Sequence, residues 1–179
     1  MNQPVSHMLI RSENDADASG IRWVLVESFG GKTEADLVYV LRKSGNLNIS
    51  FVACATDEIV GHVAFSPMYA EGRTDRGDML GLGPVAVHPK WQRRGIGSAL
   101  VQDGLDECRR RAVAAVFVLG EPRFYARFGF VPAYTRGLRC DIDAPREAFQ
   151  VLVLADVSAI SPIASAGLVR YSPEFYALT

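Results

Sequence analysis

The stretch LGPVAVHPKWQRRGIGSAL, residues 82–100, restricts the fold more than any other part of the chain. An apolar, β-type run containing Pro84 leads through a basic turn into GIG and then into an amphipathic helical pattern. Proline lacks the N–H that a paired strand donates, so the strand around Pro84 must be distorted or incompletely paired. Glycines weaken a helix interior, but at a helix start they let a ligand come close to the backbone. A strand that stops pairing and a helix that starts on glycine thus form one joint.

The elements on either side follow from periodicity. With 179 residues the chain can bury one sizeable core, so residues 1–179 read as a single domain. Residues 8–11 are predicted as a short strand, and the segment after them sets Ala18, Ile21, Leu25 and Ser28 on one helical face. A second helix is predicted over 34–43: Thr33 caps it with Asp36 three residues on, Leu37, Val40 and Leu41 share a face, and Gly45 lies past its end. Residues 49–55 and 59–69 flank the turn TDE as an antiparallel hairpin, and the polar EGRTDRGD follows as a loop. A strand over 79–87, a helix over 97–111 with Leu100, Val101, Gly104, Leu105 and Cys108 inward, and a buried-type strand over 114–119 make a β-α-β unit. A short aromatic helix in PRFYARFGF and strand candidates at 138–142 and 149–154 come next. The tail, with Pro162 and Pro173, is expected to have little regular structure and to lie over the core through Val169, Tyr171 and Phe175.

Charge narrows the partners. With 19 basic residues against 20 acidic, the chain lacks the footprint of a general nucleic-acid binder, so any anion must be held locally. Cys54, Cys108 and Cys140 are odd in number and far apart, which fits reduced thiols in the cytoplasm. The first ten residues show no signal pattern, and no run approaches the roughly 18 apolar residues of a membrane span, so no membrane partner is expected. His7, His62 and His88 lack ligand spacing and no acids cluster with them, so no metal is expected. Cys54 and Cys108 fall on apolar faces as core residues.

The local anion site is the joint itself. A helix N-terminus offers unpaired N–H groups and about half a positive charge. Gly95 and Gly97 open it, Ser98 adds a hydroxyl, and Lys90, Arg93 and Arg94 surround it. The nucleotide P-loop spacing G-x-x-x-x-G-K-[ST] is matched nowhere in the chain. The dinucleotide fingerprint G-x-G-x-x-G/A meets Leu100 at its last position. A third pattern, [RQ]-x-x-G-x-[GA], is matched by Gln92-Arg93-Arg94-Gly95-Ile96-Gly97 directly after the strand, about thirty residues before Y-x-x-x-G-F.

On these residues the chain resembles the GNAT acetyltransferase superfamily, where that motif binds the pyrophosphate of coenzyme A. The resemblance implies an α/β (α+β) fold: a mixed, mostly antiparallel central sheet of about six to seven strands flanked by helices, with a splayed strand pair forming the acyl-CoA cleft. It assigns the pyrophosphate to Gln92, Arg93, Arg94, Gly95, Ile96, Gly97 and Ser98, and the pantetheine arm to exposed backbone of Val85, Ala86 and Val87. Tyr125 stands where the superfamily has a tyrosine that protonates the departing thiolate, and a phenol is protonated at neutral pH. Gly120, Phe124 and Phe128 complete the expected cofactor contacts, although the aromatics around Tyr125 equally suit packing. LGEPRFYARFGF and a V-R-Y-x-P-x-F-like ending resemble a bacterial subgroup along essentially the whole chain. The helix at 122–128 is shorter than in much of the superfamily and lacks its cofactor-binding asparagine, a role left vacant or taken by backbone near Gly120.

The function implied is acetyl-CoA-dependent N-acetyl transfer to a primary amine by direct attack. The acceptor is a small-molecule or protein amine, shaped by the first two helices and the loop at 70–78, and the assembly leaves room for a homodimer. Glu27, Asp78, Glu121 or a water chain stand as candidate bases, and an amide near Val85 as oxyanion donor. Trp23 and Trp91 serve an acceptor pocket or packing. Two alternatives stay open: a non-catalytic acyl-CoA-binding or sensing module, and a nicotinamide-dependent enzyme, which Leu100 disfavours.

Overall fold

The apolar runs become eight strands and the amphipathic segments become helices in the computed structural model, which describes residues 8–72, 78–155 and 167–178. Hydrogen bonding links the strands in the order β1-β2-β3-β4-β5-β7-β6, with β8 on the end of β3. The β4–β5 pair is parallel, while β1–β2, β2–β3, β3–β8, β5–β7 and β6–β7 are antiparallel. The mixed, mostly antiparallel sheet is therefore the expected one, with eight strands instead of six to seven. Contacts gather the chain into two units, one of Met1–Phe65, Pro84–Glu107 and Leu178–Thr179, the other of Ser66–Gly83 and Cys108–Ala177.

In the first unit β1 (Met8–Ser12) pairs with β2 (Ile49–Ala55), and β2 with β3 (Glu58–Ala70). The hairpin register breaks at Ala53/Cys54: Cys54 faces Ile59 but Ala53 faces Gly61, leaving Val60 as the extra residue of a bulge. The bulge turns Ile59 and Gly61 to opposite faces. On one face Gly20 of α1 (Ala18–Phe29) lies so near that a Cβ there would meet Ile59 at 2.9 Å. On the other a Cβ at Gly61 would meet Leu100 of α3 (Ile96–Arg110), also at 2.9 Å. Gly104 of α3 admits the ring of Phe65 in the same way.

Under α1 and α2 (Thr33–Ser44) lies a cluster of Ile21, Leu25, Ala35, Val38, Val52, Ala64 and Ala86. The α1 face holds as Ile21, Val24 and Leu25, but Ala18 is exposed. On α2 the buried residues are Ala35, Leu37, Val38 and Leu41, with Val40 only half-buried. Thr33 does not cap that helix. The cap position falls on Lys32, whose carbonyl takes the Asp36 N–H at 2.8 Å, and the Asp36 carboxylate is drawn to Arg22 at 2.8 Å. Gly45 ends the helix in the left-handed conformation that its sequence position predicts.

In the second unit the start of β4 (Met79–Val87) pairs with β5 (Ala115–Leu119), β5 with β7 (Phe149–Val153), and β7 with the two-residue β6 (Val131–Pro132). Its core joins Met68, Met79, Phe117, Leu138, Phe149, Val151 and Tyr171, with Phe117 and Phe149 stacked at 5.6 Å. Residues 138–142 are not a strand. Among the described residues they make one β-bridge, Arg139 to Leu168, and the strand that forms nearby is β8 (Val169–Tyr171), which takes the edge offered by Met68–Ala70. Most of the loop at 70–78, His7 and Pro162 lie outside the described residues.

Candidate functional site

In β4 the parallel pairing with β5 ends at Leu82, opposite Val118. Gly83 follows with φ +148°, a conformation that favours glycine, and then Pro84, which has no N–H to donate. On its β5 side the strand's pairing thus stops two residues short of the proline. Beyond Pro84, Ala86 turns into the cluster under α1 and α2, while Val85 and Val87 are half-buried.

The turn from β4 to α3 is braced at several points. The His88 N–H donates to the Val60 carbonyl at 2.9 Å, and the Gln92 side-chain amide donates back to the Val87 carbonyl at 3.0 Å. Gln92 is thus used in closing the turn, and the Val87 carbonyl already accepts one hydrogen bond. His88 Nδ1 accepts from the Lys90 N–H, and its ring stacks on Trp23 at 4.6 Å. The Arg94 guanidinium lies over Trp91 at 5.0 Å. Both tryptophans therefore contact side chains of their own neighbourhood, although Trp23 keeps 45% of its surface exposed.

Backbone handedness then alternates. Arg93 has φ +59° and Gly95 φ +82°, with Arg94 between them outside the positive-φ set. Successive residues of opposite hand turn their N–H groups toward one side and form an anion-binding concavity. A Cβ on Gly95 would meet nothing within 4 Å, so backbone conformation, not crowding, requires the glycine. Its carbonyl accepts the Ala99 N–H at 3.0 Å, which makes Gly95 the cap and leaves Ile96 and Gly97 N–H ahead of the helical ladder. Arg93 and Arg94 are exposed beside them. Ala86 to Ser98 thus combine an incompletely paired strand end, a concave run of amides, a helix dipole and two cations. That combination suits a phosphate ester carrying an extended polar chain.

The second unit holds Gly120, Phe124, Tyr125 and Phe128 together. Tyr125 belongs to the single turn α4 (Pro122–Tyr125), is 9% exposed, and meets Phe124 edge-on at 4.9 Å and Phe130 at 5.7 Å. Phe128 touches Phe124 at 5.6 Å. A Cβ on Gly120 would lie 2.5 Å from the Tyr125 ring, so that glycine makes room for the tyrosine. Its N–H donates to Ala148 and its carbonyl accepts from Gln150. Burial pushes the Tyr125 phenol up to about 12, which keeps it protonated through neutral and mildly basic pH.

The candidate bases fare differently. Glu27 is exposed on α1. Glu121 caps α4 by accepting the Arg123 N–H. The Asp78 carbonyl accepts the Ala114 N–H at 2.7 Å just before β5. The sequence reading missed another carboxylate. Glu13, after β1, accepts from Arg42 at 2.8 and 3.0 Å and from the Ser50 hydroxyl at 2.5 Å, and Ser50 in turn lies 2.8 Å from His62 Nε2. Burial works to raise the Glu13 carboxyl, but His62, Arg42 and Ser50 outweigh it and hold the group down to about 2. His62 is 0% exposed, and burial lowers its pKa against the pull of Glu13. The signal in the sequence is two polar residues, Ser50 and His62, inside strands that are mostly apolar. Among the described residues no three His, Cys, Asp or Glu side chains converge as metal ligands would.

Comparison with known proteins adds independent findings. Residues 19–130 match the model of the acetyltransferase (GNAT) family. YhbS of Escherichia coli K12, described as an uncharacterized N-acetyltransferase, is 40% identical over 169 residues, covering 94% of this chain and 98% of that protein. YjhQ from the same organism, described likewise, is 32% identical, covering 93% of each. The crystal structure of Escherichia coli YhbS in complex with CoA superimposes with a TM-score of 0.88 at 38% identity, over 98% of this chain and 96% of that one. A GNAT family acetyltransferase from Brucella melitensis, solved in complex with acetyl-CoA, gives 0.77 at 33% identity, over 94% of this chain and 98% of that one.

Proposed function

We propose that this chain, which belongs to the GNAT acetyltransferase family, transfers an acetyl group from acetyl-CoA to a primary amine. It is an acyltransferase. The observation that carries the reading is the backbone of residues 93–97, where left-handed Arg93 and Gly95 lead into a helix start whose first amides precede the ladder, beside two exposed arginines. Those residues fit a pyrophosphate: the amides and the helix dipole supply donors, and Arg93 and Arg94 supply charge. The incompletely paired backbone at Val85 and Ala86 suits an amide-bearing arm such as pantetheine. Bound acetyl-CoA supplies the activated thioester.

The protein's part is to fix both reactants, exclude water and place protons. Tyr125 holds its proton on the phenolic oxygen, where it can pass to a departing thiolate. Phe124 and Phe130 fix the ring, and Gly120 gives it room. Glu27, Asp78 or a water chain would accept the ammonium proton, and Glu121, already used as a cap, is the weaker choice. The Val85 amide is proposed as oxyanion donor. The acceptor is a small-molecule or protein amine. Cys54, Cys108 and Cys140 are all free thiols, which supports a reducing cytoplasmic setting. Among the described residues no helix is long and apolar enough to cross a membrane.

An assay of thiol release from acetyl-CoA across a panel of primary amines tests the reading directly. Turnover with at least one amine class is expected; saturable acetyl-CoA binding with no turnover on any amine would favour a non-catalytic CoA-binding module. Tyr125→Phe is expected to lower kcat about a hundredfold while leaving acetyl-CoA affinity within twofold. An unchanged kcat removes the tyrosine from the chemistry.

A further inference from the structure

Between the 3₁₀ turn Ala133–Arg136 and the start of β7, the second unit forms an open pocket of about 390 Å³ with no part in the proposed acetyl transfer. Its floor is apolar: Leu138 and Phe149 are buried core residues, and Cys140 and Ile142 are half-buried beside them. Its rim carries Arg139 and Arg146, both exposed, and no acidic side chain lines it.

The two cations are positioned without being neutralised. The Arg146 guanidinium lies over the Tyr134 ring with its central carbon 3.7 Å from the ring centroid. The Arg139 backbone is pinned on both sides, its N–H donating to Gly167 at 2.8 Å and its carbonyl accepting from Val169 at 2.9 Å. Asp141, the acid nearest in sequence to Arg139, is already bonded to Arg170 at 3.0 Å and to the Tyr176 hydroxyl at 2.7 Å. Among the described residues neither rim arginine has a carboxylate partner. Guanidinium groups match carboxylate oxygens in paired hydrogen bonds, and an apolar floor rewards burial of a hydrocarbon body. Pockets of this volume and lining hold small molecules.

We propose that this cavity binds a small carboxylate with an aromatic or aliphatic body, its carboxylate held by Arg139 and Arg146 and its body on Leu138 and Phe149. The site stands apart from the acetyl-transfer reading, since it is built wholly from residues 134–149 and its binding is measured without acetyl-CoA.

Calorimetric titration of the full chain with 3-phenylpropanoate, and with 3-phenylpropanamide as the uncharged probe of the same body, tests it. The carboxylate is expected to bind saturably and the amide at least tenfold more weakly. Replacing both arginines, Arg139→Gln with Arg146→Gln, should weaken the carboxylate about tenfold with the melting temperature unchanged, and Arg146→Gln alone should weaken it by a smaller factor. Cys140, in the cavity wall, gives the location: saturating carboxylate should slow its alkylation without slowing that of Cys54. No saturation in the millimolar range, equal affinity for acid and amide, indifference to the arginine replacements, or an unprotected Cys140 would each overturn the site.

Discussion

Two polar constructions within the first unit are built in opposite ways. The turn at 93–97 leaves polar groups unspent: amides precede the helical ladder, and Arg93 and Arg94 are exposed. The network of Glu13, Arg42, Ser50 and His62 spends nearly everything internally, with one carboxylate meeting a guanidinium and a hydroxyl, and that hydroxyl meeting an imidazole. Exposed donors without partners are cheap because water serves them until a ligand arrives, whereas buried ones must be satisfied by the fold. The first construction is therefore fitted for binding and the second for holding β1, β2, β3 and α2 in register.

Substitutions should separate the two. The largest effect is expected at Gly95→Asp, which sets a carboxylate among the amides that would hold pyrophosphate. Acetyl-CoA affinity should fall at least a hundredfold, about 3 kcal/mol, in a calorimetric titration. Stability should fall by only about 1 kcal/mol, the cost of a non-glycine residue in a left-handed conformation, since a Cβ there meets nothing within 4 Å. Unchanged affinity would mean that the concavity is not the phosphate site. Glu13→Gln should do the reverse. Removing the charge strands Arg42 and Ser50, and urea denaturation should show a loss of about 2 kcal/mol with acetyl-CoA affinity retained. A loss of affinity as large as the first variant's would erase the distinction.

The same contrast explains what the sequence disclosed. The turn was legible because its geometry is local: Gly95 must take φ +82°, Pro84 cannot donate, and the spacing from Gln92 to Gly97 is contiguous. The Tyr125 surroundings were legible for the same reason, as Gly120 to Phe130 lie within eleven consecutive residues. The Glu13 network was not, because its members come from four separate segments, and Ser50 and His62 are brought together only by the β2–β3 register, where Ser50 pairs with Ala64 and His62 with Val52. Residues 138–142 misled by alternating like a strand, and the three residues of β8 and two of β6 are too short to show a period. The Val60 bulge that turns neighbouring positions toward α1 and α3 leaves no mark in composition.

The smallest expected effect concerns pH and follows from the direction of two shifts. The Ser50 hydroxyl donates to Glu13, so it accepts from His62 Nε2–H, and the neutral imidazole is left with its lone pair at Nδ1, which has no partner. Protonation at Nδ1 would place an N–H and a charge in a fully buried site, with Glu13 as the favourable neighbour and Arg42 as the opposing one; desolvation wins and the folded-state pKa falls below 6.5. The unfolded chain therefore binds the proton first, and stability contributed by His62 is present above pH 6.5 and lost as pH falls. Glu13, lowered from 4.5 to about 2, adds a loss of the same sign at more acidic pH, as the pH falls through that range. Of these two groups only the histidine titrates between pH 7.5 and 5.5, so the loss over that range carries its sign. Urea denaturation at the two values should show that loss in the native chain and a clearly smaller one in His62→Leu, which has no imidazole to protonate. An equal loss in both would place the proton uptake elsewhere and leave His62 a packing residue.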